Sequence, residues 1–348
     1  MIVSLRKFWN KLKQLLMLGR RILRIKAFKV LYGYAAAGKM TLDEAMRELE
    51  TSCEATRDLY LFMLSIIPPM TEEARARIEL AKTKFNPTEE DLNPNTKFAD
   101  NMVAVTLEND PDFKKIIDRK GLSWAPYDLL IKSVLDSMKE KKYFIRYMEN
   151  PERSLKEDCR LWIKIFENEF TENPQLPAIL EDLSIYWIDD LAYALTYCCR
   201  TMEDIAAGKP WHLPDLYLSD MLKKKNPAAD VQSDKVFVTR LLKNAFTGFE
   251  GYFDLITSSV KGWEADRLNA LDTALVALGL AEAESFPEIP LRVTINEYVE
   301  ISKFYSLPKS SSFVNGLLDR LIGKLVEEGK IRKNDEALPD GTVSVDRQ

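Results

Sequence analysis

Hydrophobic residues recur at helical spacing along most of the chain, and their clearest pattern lies near its end. Between residues 290 and 319, apolar positions fall at i, i+3, i+4 and i+7 in two runs separated by a Ser-rich turn. Thr294 and Glu297 have the spacing of a capping box, which predicts a helix beginning near Ile295. The second run predicts a helix whose buried face carries Val314, Leu317, Leu318, Leu321, Ile322 and Leu325.

The rest of the chain is also predicted to be helical. Thr41 with Glu44 forms a second capping box, and Ser154 with Glu157 is expected to cap another helix. The helix after Thr41 is expected to end where Pro68 and Pro69 stop it, near Ile67. Further helices are predicted at about 71–84, 98–108, 111–120, 124–149, 154–170, 177–206, 234–261 and 263–284, with a turn-rich loop at 85–98. Because no Val- and Ile-rich alternating run is bounded by turns, we expect no sheet.

The first forty residues contain two basic helical patterns. Residues 5–18 place apolar side chains on one stripe, which is typical of a helix on an anionic membrane surface or of a terminal helix packed on the body. The segment could also lie upstream of the true start, since Met17 is an alternative initiator. In residues 19–34, Phe28 and Tyr32 each project within about 20° of Arg21, with Arg24 about 60° to one side. We expect this face to be exposed, where guanidinium groups suit phosphates and rings suit unstacked bases.

The distribution of charge along the chain is more informative about partners than the overall composition is. The chain of 348 residues has a net charge of −5, yet residues 1–42 contain ten Lys or Arg residues and no acidic residue. The remaining residues therefore carry a net charge of −15, and the cationic terminus matters for partners. No apolar run is long enough to span a bilayer, and no signal-peptide pattern precedes the body, so we expect a cytoplasmic protein without a membrane segment.

The residues that usually perform chemistry are scarce. Four cysteines without C-x-x-C spacing and a single histidine scarcely supply a metal site, and we expect the cysteines to be buried thiols. Acidic residues at 181–190 are interpreted as solvated helix positions. There is no Gly-rich phosphate loop, nucleophile elbow or dinucleotide fingerprint. The sequence therefore predicts no catalytic residue, no metal, no cofactor and no small-molecule substrate, and it disfavours an enzyme.

Two stretches far apart in the chain resemble one known family. The string V-x-I-N-E-x-V-E-I-x-K followed by F-V-N-G-x-L-D, within residues 293–319, resembles the C-terminal signature of the NusB family of bacterial transcription antitermination factors. The segment RRILRIKAFKVLY, residues 20–32, resembles the Arg-rich start of the family's first helix. Residues between these stretches exceed the length of compact members, which implies an insertion like that of long Bacteroidetes-type members.

The resemblance implies an all-α fold, a NusB-like pair of small helical bundles enlarged by a central helical insertion. The expected division is a basic amphipathic extension (1–16), the Arg-rich first helix (17–40), a helical insertion (41–233), a NusB-like C-terminal domain (234–329) and a disordered tail (330–348). For function, the resemblance implies binding of boxA-type single-stranded RNA of ribosomal RNA leaders together with NusE, a small-subunit ribosomal protein, in the RNA polymerase antitermination complex.

The same resemblance assigns site residues. Those expected to bind RNA lie in the Arg-rich helix and in the turn before F-V-N-G: Arg20, Arg21, Arg24, Lys26, Tyr32, Lys309, Ser312, Phe313 and Asn315. Asp272 falls on an acidic position that faces NusE. Lys309 and Ser312 depart from the residues some members carry, so we expect Lys309 to take over a phosphate contact. The turn Leu307–Phe313 is predicted to lie beside the segment Arg20–Tyr32.

Two other functions stay open at this point. A helical protein-interaction scaffold could keep partner binding without RNA binding, and the acidic body of the chain favours it mildly. An RNA-modifying enzyme is a further alternative because related domains occur fused to RNA methyltransferases, but no cofactor-binding pattern supports it. Gly279, within a predicted helix, has no functional explanation from the sequence.

Overall fold

The regular elements of secondary structure in the described residues are helices. The computed structural model describes residues 19–228, 232–260, 268–307 and 309–334. Its α-helices are α1 (Arg20–Ala37), α2 (Leu42–Leu64), α3 (Ile67–Lys82), α4 (Glu89–Leu92), α5 (Met102–Glu108), α6 (Pro111–Lys120), α7 (Asp128–Lys139), α8 (Lys142–Glu149), α9 (Leu155–Ile165), α10 (Leu176–Leu183), α11 (Leu191–Ala206), α12 (Leu218–Lys225), α13 (Asp234–Thr247), α14 (Phe249–Ser259), α15 (Ala270–Ser285), α16 (Leu291–Tyr305) and α17 (Ser310–Glu327). No strand occurs within the described ranges, and the predicted all-α class is confirmed.

The helices form two compact units. One comprises residues 54–216, and the other comprises residues 19–53 together with 217–334. The boundary falls within α2, so the second unit is assembled from both ends of the chain. Local sequence signals define the start of α2, because the Thr41 N–H donates to Glu44 Oε2 at 2.8 Å and the Glu44 N–H donates to Thr41 Oγ1 at 3.3 Å. This predicted capping box is confirmed.

α15 is the centre of the unit assembled from both chain ends. Apolar residues surround its axis, a pattern typical of a helix buried on every side, and its residues 272–283 are all buried. It packs against α1, α13, α14, α16 and α17. Gly279 permits the close approach of α17, because a Cβ there would lie 2.6 Å from Cδ2 of Leu318 and 3.3 Å from Cδ2 of Tyr298.

α1 is also more buried than its sequence pattern predicts. It packs against α13 and α15, and its buried residues include Leu23, Ala27, Leu31 and the charged pair Arg24 and Lys26. The helix ends at Gly38, whose φ of 65° is left-handed and whose N–H donates to the Tyr34 carbonyl at 2.8 Å. A glycine is favoured there because other residues are strained in this conformation.

The other unit has an aromatic core. The ring of Phe62 stacks on Trp124, with 4.1 Å between ring centroids, and lies 5.3 Å from Trp187. The Trp124 indole N–H donates to the Phe62 carbonyl at 2.8 Å, which satisfies its polar atom inside the core. Within this unit α9 packs along α11, and α3 packs against α5 and α7. Ser154 caps α9 by accepting from the Glu157 N–H at 3.2 Å, as predicted.

The capping box predicted at Thr294 is wrong. α16 begins one turn earlier, after Pro290, so Thr294 lies inside the helix and is fully buried. Its hydroxyl donates to Glu282 of α15 at 2.9 Å, and Glu297 pairs with Arg21 of α1. The Thr294 and Glu297 side chains therefore bind residues of other helices and do not cap their own helix.

Several long predicted helices are interrupted. The helix expected over 234–261 breaks at Gly248 between α13 and α14, and the one expected over 177–206 is divided by residues 184–190. The one expected over 124–149 consists of a 3₁₀ turn, α7 and α8, while the loop expected at 85–98 contains the short α4. The breaks range from one or two residues, at Gly248 and at 140–141, to the seven residues 184–190, and hydrophobic periodicity detects none of them.

Some predicted segments lie outside the described residues. These are the amphipathic segment 1–16, the start of the predicted helix 263–284 and most of the tail 330–348. The beginning of that tail is ordered against α15 and the residues that follow it, since Ile331 is buried and the Asn334 N–H donates to the Pro287 carbonyl at 3.1 Å. Among the described helices, none has the length and apolar character needed to cross a membrane.

Candidate nucleic-acid interface

Arg24, predicted to contact RNA, lies inside the protein. Its side chain is 4% exposed, and its Nε and Nη2 atoms donate to the two carboxylate oxygens of Glu282 at 2.7 and 2.8 Å. Burial alone lowers the pKa of Arg24, but the attraction and hydrogen bonding of Glu282 outweigh it and raise the pKa above its ordinary value. Arg24 is therefore a permanently charged structural partner, and its predicted exposure is wrong.

Glu282 is the acceptor of a larger buried network. The carboxylate is completely buried and also accepts from the Thr294 hydroxyl at 2.9 Å and the Tyr298 hydroxyl at 3.0 Å. Burial, with the nearby charge of Glu282, raises the pKa of Tyr298 well above its usual value, so Tyr298 remains a donor. Four hydrogen bonds to one carboxylate connect α1, α15 and α16, which compensates its burial.

The other cations of the Arg-rich segment are also engaged. Arg21 donates from Nε to Glu297 at 2.9 Å, and Arg20 donates to the Gln232 side chain at 3.0 Å. Lys26 is 2% exposed, and its ammonium donates to the Ser52 carbonyl at 2.6 Å. Of these three, only Arg20 and Arg21 reach solvent, and both are half-buried.

The accessible side of α1 is a narrow stripe. Arg21, Ile25 and Lys29 are half-buried, and Tyr32 is 37% exposed. Phe28, predicted to share the exposed face, is buried beneath Tyr305 of α16, with ring centroids 5.5 Å apart. The stripe keeps the mixture of cationic and aromatic groups expected from the sequence, with Lys29 in place of Arg24.

α16 runs parallel to α1 along this stripe. Arg21 near the start of α1 meets Glu297 in the middle of α16, and Phe28 meets Tyr305 seven and eight residues further on. The Lys29 ammonium lies 5.8 Å from the centre of the Tyr305 ring. The turn Leu307–Phe313 follows directly, so it lies near the Phe28–Tyr32 part of α1 and about 18 Å along the helix from Arg20.

The turn itself presents polar side chains to solvent. Lys309, Ser312 and Asn315 are exposed, and Phe313 is half-buried. Leu307 is also exposed. The arrangement offers one cation, hydroxyl and amide donors and part of an aromatic ring, which suits contacts to phosphate and to base edges.

Asp272, predicted to face a protein partner, is instead buried behind this turn. It is 1% exposed and accepts from the Ser306 hydroxyl at 2.6 Å and the Ser310 hydroxyl at 3.1 Å. Its own N–H is capped by the Asn269 side chain at 2.8 Å at the start of α15. Burial raises the pKa of Asp272, while the hydrogen bonds from Ser306, Ser310 and Asn269 oppose this. Asp272 therefore fixes both ends of the turn and offers no surface to a partner in this conformation.

Three residues near the turn were not predicted as site residues. Phe304 is 52% exposed, and Lys303 is exposed and paired with Glu300. Phe304 follows Glu297 by seven residues and so points within about 20° of the same direction, toward the α1 side of α16. The third residue that was not predicted is Lys29 of α1, which is half-buried. In the sequence, Phe304 is an aromatic residue at a position expected to be polar, which could have marked it as a candidate. Placing it beside α1 also required the register of α16 against α1.

These residues define one candidate surface, the α1–α16 face, which consists of Lys29, Tyr32, Phe304 and Lys309. It contains two cations and two exposed rings, which lie in the C-terminal half of α1, at the end of α16 and in the turn that follows it. Lys303 projects about 120° from Glu297 and lies outside this face. Arg20 and Arg21 lie at the opposite end of α1. All four cysteines are buried, and no group of three or more metal-ligating side chains is placed to hold an ion within the described ranges.

Comparison with known proteins identifies relatives of the C-terminal part. The model of the NusB family matches residues 197–323. A transcription antitermination protein NusB from Salinibacter ruber is 30% identical over 112 residues, which are 32% of this chain and 70% of that protein. Proteins of the same name from Chloroherpeton thalassium and Methylacidiphilum infernorum are 31% and 42% identical over 112 and 91 residues.

The extent of these matches differs. The alignments cover 53% of the Chloroherpeton protein and 64% of the Methylacidiphilum protein, less than two thirds of either, and 32% and 26% of this chain. No solved structure matches the chain significantly. Most of the unit formed by residues 54–216 lies outside the family match.

Proposed function

The chain belongs to the NusB family of transcription antitermination factors, and from this premise we propose that it binds boxA-type single-stranded RNA of ribosomal RNA leaders together with NusE. Family membership agrees with the prediction that the chain is not an enzyme. The bound pair would join the RNA polymerase antitermination complex in the cytoplasm.

The observation that carries the RNA part of this proposal is the composition of the α1–α16 face. Single-stranded RNA is held by cations that follow the backbone and by rings on which unstacked bases lie. Lys29 and Lys309 supply cations, and Tyr32 and Phe304 supply exposed rings. The backbone that carries these side chains is fixed by the packing of α1 and α16 on α15 and by the hydrogen bonds of Asp272 to Ser306 and Ser310, so the backbone needs little reordering on binding.

The roles of the Arg-rich segment divide accordingly. Arg24 and Lys26 stabilise the fold, whereas Arg20 and Arg21 are half-buried and can meet RNA that extends along α1. Arg21 already pairs with Glu297, so its contribution to phosphate binding requires that this pair open or be shared. We expect Lys29 and Lys309 to contribute more than Arg21.

A second function is favoured by the same burial. Because Arg24 and Lys26 are internal, the helix offers fewer cations to RNA than its sequence suggests. A protein-interaction scaffold that binds NusE without RNA is consistent with this loss. The two functions differ in one respect: the scaffold predicts that NusE binding is independent of boxA RNA.

Fluorescence anisotropy with labelled RNA separates the two functions. BoxA RNA and a scrambled RNA of the same composition are titrated with the chain, with NusE, and with both together. The proposal predicts tighter binding of boxA than of scrambled RNA by the pair. Equal affinities for the two RNAs, with NusE still captured, would support the scaffold.

A matched pair of variants then tests the face itself. Tyr32→Ala and Phe304→Ala each remove a stacking surface and should weaken boxA binding roughly tenfold, within the range of one stacked base. Phe253→Ala removes a 41% exposed ring on α14 of the same unit and serves as the control. If all three variants bind boxA as the parent does, bases do not stack on this face.

A further inference from the structure

A groove in the unit formed by residues 54–216 has no role in the RNA-binding proposal. It has a volume of about 810 Å³ and opens to solvent between α3, the end of α5, α6 and the start of α7. Apolar side chains line it, among them Phe113, Ile117 and Trp124. The groove lies in the part of the chain outside the family match, which covers residues 197–323.

The rim of this groove is strongly acidic. Five acidic residues and a single lysine, Lys114, are among the lining side chains. Glu72, Glu108 and Asp118 are exposed and have no ion-pair partner among the described residues. Glu73 and Asp128 are bonded to Arg77 and Lys132. Three unneutralised carboxylates thus surround an apolar floor.

This combination favours a helix over a small molecule. Small-ligand sites enclose most of the ligand and direct a few converging polar groups at it, whereas here the polar groups lie on the exposed rim and share one sign. An amphipathic helix laid into a groove places its apolar face on the floor and its charged face at the rim. Carboxylates at the rim select lysine and arginine on that helix.

We propose that the groove is the docking site for a cationic amphipathic helix of a partner protein in the antitermination assembly. The inference rests on the proposed function for the nature of the partner: proteins that share an RNA carry Lys and Arg to neutralise its phosphates. The half-buried Pro68, Pro69, Ile117 and Leu122 supply the apolar contact of the floor, with Phe113 and Trp124 buried beneath it, and Glu72, Glu108 and Asp118 supply the charge selection.

The test uses the full chain and a labelled 18-residue model peptide with leucines at i, i+4, i+7 and i+11 and lysines on the other face. Anisotropy is measured without RNA, and boxA binding is measured on the same preparations, so a failure of RNA binding is recorded separately. The expected result is saturable binding that weakens with salt. A glutamate version of the peptide should not bind. Absence of binding by the lysine peptide overturns the proposal.

Charge reversal locates the binding. Glu108→Lys with Asp118→Lys should weaken the peptide roughly tenfold or more, because two attractive pairs become repulsive. Both positions are near helix C-termini, where lysine is favoured, so the fold should tolerate them. Glu140→Lys with Glu149→Lys makes the same charge change at exposed positions of this unit outside the groove and should leave binding unchanged. Equal effects of the two double variants would show nonspecific attraction and overturn the proposal.

A last variant separates a partner from the chain's own cationic segment. Leu5, Leu12 and Leu16 are changed together to Ser in the full chain, which removes the apolar stripe of residues 5–16 and leaves the net charge unchanged. Unchanged peptide affinity supports a partner helix as occupant. A several-fold gain in affinity means that residues 5–16 compete for the groove, and it overturns the assignment to a partner.

Discussion

The Arg24–Glu282 pair makes the sharpest prediction about how this fold is held together. Arg24→Ala leaves the fully buried Glu282 carboxylate without its cation, while Thr294 and Tyr298 still donate to it. Removing one partner of a buried ion pair typically destabilises a protein by about 3–5 kcal/mol. That loss is a large fraction of the roughly 5–15 kcal/mol that stabilises most folded proteins.

Urea denaturation followed by circular dichroism measures this loss. Arg21→Ala is the matched control, since Arg21 lies one turn earlier on α1 and its pair with Glu297 is partly exposed, with 29% and 17% of the side chains accessible. A partly exposed pair contributes about 0.2–1 kcal/mol. We therefore expect Arg24→Ala to lower the free energy of unfolding several times more than Arg21→Ala does.

The same pair of variants distinguishes a structural role from an RNA contact. If Arg24 acts only through the fold, RNA binding by Arg24→Ala should fall in proportion to the folded fraction and recover at low temperature or with a stabilising osmolyte. Equal and small losses of stability in both variants, with RNA affinity lost only in Arg24→Ala, would refute the reasoning. The buried geometry would then not represent the state that binds RNA.

Three further predictions follow from local geometry. Gly279→Val should lower the free energy of unfolding by at least about 2 kcal/mol in urea melts despite glycine's poor helix propensity, because the side chain would overlap Leu318; wild-type stability would contradict the close packing. Burial raises the pKa of Asp272 above 3.8 in the folded chain, so the unfolded chain loses this proton at lower pH. As pH rises from about 4 through the folded pKa, the parent should therefore lose stability relative to Asp272→Asn. Denaturation midpoints of the two proteins over that pH window check the sign. Thr41→Ala should cost about 1 kcal/mol by removing the α2 cap, whereas Thr294→Ala should cost more because Glu282 loses a donor in the core; thermal melts of the two variants give the order.

The sequence predicted those parts of the fold that depend on neighbouring residues. The Thr41 box formed as expected at an exposed helix start. Ser154 also caps α9 as expected, while the Glu157 carboxylate accepts from the Asn150 side chain at 2.9 Å. The same motif at Thr294 failed because Glu282, twelve residues away, takes the hydroxyl into the core. Capping rules describe local competition, and they give no account of a buried acceptor on another helix.

The candidate site shows a similar limit. Helical projection correctly placed Arg21 and Tyr32 on one side of α1, but it could not show that Tyr305 covers Phe28 or that Glu282 draws Arg24 inward. A charged residue on a helix is usually solvated, and only the tertiary partner reveals the exception. Lys29 and Phe304 were missed for the complementary reason, since their place on one face depends on the register between α1 and α16.

Asp272 was predicted to contact a partner, but its side chain has a structural role in the fold. The acidic position was assigned to a partner surface by resemblance, whereas the structure uses it to bind Ser306 and Ser310 at the two ends of the turn. A partner or RNA that meets the turn would still be sensitive to Asp272, because the turn's shape depends on these hydrogen bonds. Conversely, Gly279 gained an explanation only when α17 was placed against it.

Contacts between the α1–α16 face and the RNA backbone can be measured by the salt dependence of boxA binding. The affinity of the complex with NusE for boxA RNA is measured between about 50 and 200 mM salt for the parent and for two double variants. The first is Lys29→Gln with Lys309→Gln. The second, Lys243→Gln with Lys324→Gln, is the control, because these exposed lysines lie on α13 and α17 outside the face. Each lost phosphate contact reduces the slope of log affinity against log salt by about 0.7 for a single strand. The account predicts a slope reduced by about 1.4 for the first double variant and an unchanged slope for the second. Identical slopes for all three proteins would show that the α1–α16 face does not bind the RNA backbone.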